Sequence, residues 1–121
     1  MQYFNLDDIQ GFSKLYRLNL INSITGYKSA NMIGTRSNSG EENVAIFSSI
    51  THLGSNPALL HFTLRPNTVP RDTYKNIKEN MVFTVNHVSL AQIEQAHHTS
   101  AKYDENISEF DQTSLEPEYK M

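Results

Sequence analysis

Between Ala30 and Val88 the apolar residues of this chain come in short runs, each closed by a turn signal. That punctuation limits the fold more than any other feature, because a helical bundle would need a ~3.6-residue apolar period sustained over long segments. Ala30–Thr35 is short and half apolar, and it runs into Ser37-Asn38-Ser39-Gly40. Val44–Leu53 follows as one mixed strand, with Val44, Ile46, Ser48 and Ile50 on one face and Ala45, Phe47, Ser49 and Thr51 on the other. Gly54-Ser55-Asn56-Pro57 then turns the chain into a strand over Leu59–Leu64. Met81–Val88 alternates most clearly, Val82, Thr84 and Asn86 against Phe83, Val85 and His87.

Helices are expected at three places. The first covers Ser13–Ser23 and is closed by Gly26. The second is capped by Thr68, has Pro70 in its first turn, and places Tyr74, Ile77 and Lys78 on one face. The third opens at the capping box Ser89-Leu90-Ala91-Gln92 and runs to about His98. Hairpin-linked strands with helices inserted between them read as a mainly β fold, a small barrel or antiparallel sheet, in a single domain over residues 1–121.

Composition narrows the function classes. The 33 Ser, Thr and Asn residues make the chain polar without making it highly charged, and six Tyr and six Phe supply a core, so the chain should fold. Zero cysteines exclude thiolate catalysis, disulfide scaffolds and Cys-based metal sites. No apolar run approaches the roughly 20 residues of a membrane span, and the N-terminus lacks a secretory pattern, so a cytoplasmic protein without membrane contact is expected. A net charge of −3 disfavours nucleic acid as a partner. Residues 101–121 set two lysines against six carboxylates, a net of −4, which leaves +1 for the first hundred residues. This stretch reads as an acidic, weakly structured segment, or as an extension that packs against something outside the chain.

Two stretches carry chemistry. Leu64-Arg65-Pro66-Asn67-Thr68-Val69-Pro70-Arg71-Asp72-Thr73 joins a strand end to a helix start and holds two arginines and two threonines. Free N–H groups, a positive helix end, guanidinium forks and hydroxyls together suit a phosphate, although Thr68 as a plain cap on a solvated loop accounts for the same residues. Asn43–Thr51 places small hydroxyl residues inside a strand, as either a polar, flat ligand surface or a water-facing edge would require. The five histidines show no metal-ligand spacing; His97 and His98 are adjacent and point about 100° apart on a helix. No metal site is expected. Nucleophile-elbow, Walker and dinucleotide-fold glycine motifs are absent.

In order and spacing these segments resemble the flavin reductase-like family, whose members fold as an FMN-binding split barrel. Leu18–Gly26 looks like the family's opening segment, Asn43–Ile50 with Ser55-Asn56-Pro57 like its flavin-facing strand and turn, and Arg65–Ile77 like its phosphate-binding junction. Phe83-Thr84-Val85-Asn86, then His97–Tyr103 and Ser108-Glu109-Phe110, resemble the strand, helix and loop that follow. The resemblance implies an oxidoreductase that binds FMN and transfers hydride from NAD(P)H to the flavin, as a homodimer. It places the phosphate and ribityl chain on Arg65, Thr68, Arg71 and Thr73, and the ring along Ser48, Ser49 and the backbone of Ile50. It assigns no catalytic acid or base, since the cofactor carries the chemistry. Family members continue past the Ser108-Glu109-Phe110 region with strands that close the barrel. The expected fold is therefore a split β-barrel truncated at its C-terminus, and the competing reading is a non-catalytic flavin-binding or interaction module.

Overall fold

The computed structural model of the protein describes residues 1–66, 69–101, 103 and 107–119. Its centre is β1 (Asn31–Arg36), which lies between β2 (Glu42–Phe47) and β5 (Thr84–His87) and is antiparallel to both. The register sets Ile33 opposite Ala45 and Val85, and Met32 opposite Ile46 and Asn86. Side chains alternate along a strand, so Asn31, Ile33 and Thr35 share one face and Met32, Gly34 and Arg36 the other. Both faces are covered: Ile33 is 0% exposed and Met32 5%. Helix α3 (Asp72–Asn80) lies on the first face, where Asn76 Nδ2 donates to Thr35 Oγ1 at 3.1 Å. On the second face Met32 and Val44 pack with Ala96 of α4 (Ile93–His98), and Phe110 and Leu115 close over them.

The 107–119 segment has no helix or strand, in keeping with the weakly structured stretch read from composition, but it packs on the sheet of its own chain rather than on something outside it. Ser108 Oγ donates to the Glu42 carbonyl at 2.7 Å, and the Arg36 guanidinium sits 5.8 Å from the Tyr119 ring centroid. Two apolar side chains among the acids, Phe110 and Leu115, suffice to hold it.

The strand expected over Val44–Leu53 is two strands in two sheets. β2 ends at Phe47, and β3 (Thr51–Ser55) pairs instead with β4 (Ala58–His61) as an antiparallel hairpin. The break falls at Ser48–Ile50. There the Ser49 hydroxyl donates to Thr63 O and accepts from Thr63 N, both at 3.1 Å, so a side chain takes the place of a strand partner. Neither face of the mixed run was apolar enough to hold ten residues in one register.

The second expected helix also starts later than the sequence suggested. Arg71, not Thr68, is the N-cap of α3, with extended backbone (φ −141°, ψ 114°), and Pro70 precedes the helix rather than opening it. Thr68 lies outside the described residues. Proline steers the residue before it, Val69, away from helical backbone, which delays the start. The far end explains why β5 is shorter than the expected Met81–Val88. Met81 is spent as the left-handed C-cap (φ 57°), its N–H donating to Ile77 O at 2.9 Å.

Other expectations match the fold. Ser13 caps α2 (Lys14–Ser23) through Tyr16 N at 3.3 Å, and Gly26 takes φ +76° just beyond it. Ser89 and Gln92 form the anticipated capping box ahead of α4. A six-residue α1 (Leu6–Gly11) was not anticipated; Asn5 and Asp8 cap it reciprocally. The three-stranded sheet and the hairpin do not close into a barrel among the described residues. No helix among them is long and apolar enough to cross a membrane.

Candidate functional site

The Ser49–Thr63 pair of hydrogen bonds joins the Asn43–Thr51 stretch to the residue just before the Leu64–Thr73 stretch. It fastens the loop after β2 to the connection that runs from β4 into α3. Aromatic rings support the junction: Phe47 meets Phe62 edge-on (centroids 5.5 Å apart), and Phe62 meets Phe83 in the same way at 5.1 Å. Ser48 is exposed while Ser49 and Ile50 are half-buried, so the loop presents one free hydroxyl and a partly covered backbone.

At the other end of β2 the chain meets the start of α3. The first-turn N–H groups of Asp72, Thr73 and Tyr74 precede the first intrahelical bond, Lys75 N to Arg71 O at 3.0 Å, and so have no intrahelical acceptor. Arg71 is half-buried, and its Nε is shut away from solvent with no hydrogen-bond partner among the described residues. A buried cationic donor beside a positive helix end suits an anion. Asp72 in the first turn works against that preference. Arg65 is exposed on the connection, and Lys75 and Lys78 are exposed along the helix.

Beneath this turn lies a polar cluster in which Thr35, Asn43, Thr73 and Asn76 are all buried. One amide atom of Asn43 faces Thr35 Oγ1 (3.3 Å), Thr73 Oγ1 (3.0 Å) and the Val44 N–H (3.3 Å), and the other faces Glu109 Oε2 (3.2 Å). An N–H can only donate and a carboxylate only accept, so the first atom is the oxygen and the second the nitrogen. Glu109 is half-buried, and its carboxyl is raised above the ordinary value of 4.5. Burial is the main cause; backbone N–H bonds from Glu109 and Val44 act against it, and the Asp72 charge adds to it.

The geometry sorts the seven residues expected to bind a ligand. Arg71 and the first turn of α3 come together with Thr73, but the Thr73 hydroxyl is bonded inward to Asn43, leaving its backbone N–H as the group it can offer an anion. The Ser49 hydroxyl is likewise committed to Thr63, whereas Ser48 is exposed and Ile50 offers its backbone. Arg65 is solvent-facing, and Thr68 lies outside the described residues. Sequence reading missed the supporting set of Thr35, Asn43, Asn76 and Glu109. Asn43, Asn76 and Glu109 stood in the quoted stretches, yet nothing in their spacing marks them as partners. Among the described residues no three His, Asp or Glu side chains gather as a metal-binding group.

Comparison with known proteins gives the family and the fold. The flavin reductase like domain family matches residues 26–120. A protein from Shewanella frigidimarina NCIMB 400, named as a flavin reductase with a split barrel domain, superposes with a TM-score of 0.93 at 44% identity, over 100% of this chain and 60% of its own. Nitrilotriacetate monooxygenase component B from Bacillus cereus gives a TM-score of 0.82 at 20% identity, over 100% of this chain and 59% of its own. Flavoredoxin of Desulfovibrio vulgaris gives 0.67 at 25% identity, over 76% and 49%. The chain therefore spans about 60% of the length of the first two structures it matches. Among curated protein sequences none matches it. The order of elements, the junction at α3 and the family match together place this chain in the flavin reductase-like family.

Proposed function

We propose that this chain binds FMN between the Ser48–Ile50 loop and the first turn of α3 and serves flavin reduction by NAD(P)H. The single observation that carries the reading is the buried Nε of Arg71 at the N-cap of α3, without a partner among the described residues, in a chain of this family. A phosphate monoester supplies acceptors for that donor and for the N–H groups of Asp72, Thr73 and Tyr74, and its charge suits the helix end. Asn43 holds Thr73 from below, which fixes the direction of the first turn. Ser48 and the backbone at Ile50 are placed to lie along the ring, with Phe47 and Phe62 stiffening the strand behind them. Arg65 and Thr68 complete the proposed phosphate and ribityl contacts.

A bound flavin supplies the hydride-accepting ring and returns the electrons to an onward acceptor. The residues of the chain need only bind, orient and leave one ring face open to nicotinamide. We further propose a homodimer. Leu53 and Leu60 on the β3–β4 hairpin are each 64% exposed, with Met81 and Val82 at 78% and 68%, and such surface is normally covered in an assembly.

The reading is tested by mixing purified protein with FMN under anaerobic conditions, adding NADH or NADPH, and following the flavin absorbance. Bleaching that scales with protein concentration is expected. Flavin uptake without nicotinamide oxidation would leave a non-catalytic flavin-binding module. Absence of uptake would refute the flavin reading altogether.

A further inference from the structure

The Glu109 carboxyl is not needed to hold a flavin, yet it stands one amide group away from the turn proposed to hold the phosphate. Asn43 spans the two, its nitrogen on Glu109 Oε2 (3.2 Å) and its oxygen on Thr73 Oγ1 (3.0 Å). We propose that Glu109 is a positioning residue for the anion site at α3: through Asn43 it sets the first turn, and its negative charge opposes an anion bound there, so the site binds its phosphate more tightly when Glu109 carries a proton. The inference rests on the FMN reading above and adds a pH control to it.

The surroundings of Glu109 favour such a role. From β2 it meets the Asn43 amide and the Val44 N–H, and from α3 it feels the Asp72 carboxylate; on its own segment its backbone N–H turns toward it. Among the described residues Asp72 is the charged group that acts on it, and like Glu109 it is an acid. A bound phosphate brings more negative charge to the same turn. Linkage then requires reciprocity: whatever proton binding does for the anion, the anion does for the proton. Asn43 can donate to Glu109 in either protonation state, since the carbonyl oxygen of the acid still accepts. The cluster therefore survives protonation, and what changes is charge.

The test is the FMN dissociation constant of the full chain and of Glu109→Gln over a range of pH, with riboflavin in parallel. The two proteins should bind FMN alike at low pH. Across the titration of Glu109 the unsubstituted protein should become weaker than the variant by about three- to tenfold, a coupling of about 0.5–1 in pKa. The ionisation of the FMN phosphate affects both proteins, and the second negative charge it adds strengthens the coupling in the unsubstituted protein alone. Riboflavin, which has no phosphate, should show a flat ratio. An FMN ratio that is constant at every pH would overturn the proposal and leave the flavin reading standing. Failure of the unsubstituted protein to bind FMN at any pH would remove both.

Should the variant not fold, the Glu109 carboxyl 13C resonance of the unsubstituted chain gives the same coupling. Its titration midpoint should rise with FMN and stay in place with riboflavin. A midpoint unmoved by FMN would reject the coupling.

Discussion

Truncating Arg71 to alanine should separate holding a phosphate from holding the fold. The Arg71 Nε is buried and bonded to none of the described residues, so removing the side chain orphans no acceptor among them. Stability should fall by less than about 1 kcal/mol, the range of substitutions that break no buried pair. Binding should respond differently. A charge-assisted hydrogen bond contributes roughly 1.5–3 kcal/mol, so loss of this donor should weaken FMN by about ten- to a hundredfold. Arg71→Lys keeps the charge and loses the planar fork, and should fall between the two. Quenching of flavin fluorescence gives both dissociation constants. Riboflavin should lose little, because it has no phosphate for the guanidinium to meet. Lys75→Ala and Lys78→Ala, on exposed positions along the helix, should leave FMN affinity nearly unchanged. Equal weakening of FMN and riboflavin by Arg71→Ala would show that the arginine shapes the fold, and the phosphate assignment would be wrong.

Asn43→Ala removes the amide shared by Thr73, Val44 and Glu109; losing two neutral bonds and one to a carboxylate should lower stability by about 2.5–6 kcal/mol, read as a shift in the urea midpoint. The raised carboxyl of Glu109 sets a sign for pH. Its folded form holds the proton more tightly than the unfolded chain, so its contribution to stability is complete below the ordinary value of 4.5 and declines as pH rises toward the raised value. Relative to Glu109→Gln, the unsubstituted protein should therefore lose stability over that window and then run parallel; a difference growing in the opposite direction would contradict the burial argument. Gly34→Ala places a methyl 2.7 Å from Thr84 Oγ1 on the adjoining strand and should cost about 1–3 kcal/mol, much of it recovered when Thr84→Ala is added.

Local signals carried much of the fold into the sequence. The helix expected from Ser13 starts there, with Ser13 as its cap, the Ser89–Gln92 box forms as expected, and Gly26 and Gly40 take the positive φ values that their turn positions suggested. Asn5 and Asp8 carried a capping box too, but six residues with few apolar positions gave no period to accompany it. What failed was long-range. The division of Val44–Leu53 depends on Thr63, fourteen residues beyond Ser49, and no local pattern reveals which backbone a serine will meet. The start of α3 shifted because Pro70 acts on its neighbour before it can serve the helix.

The candidate site shows the same division. A helix close to Arg71 was legible because arginine, proline and threonine cluster in sequence, though its first residue was not. The support beneath them joins β1, β2, α3 and the segment at Glu109, with Thr35 and Asn76 bonded across 41 residues. Buried amides and hydroxyls pair by tertiary geometry, and their residue types alone read as surface.

The most direct test of the account follows the backbone amides of the 15N-labelled chain as FMN is added. The account predicts saturable shifts at two places together, Ser48–Ile50 beside the ring and Asp72–Tyr74 at the phosphate, with riboflavin moving only the first set. Shifts confined to other parts of the chain, or an α3 first turn that riboflavin perturbs as much as FMN does, would contradict it.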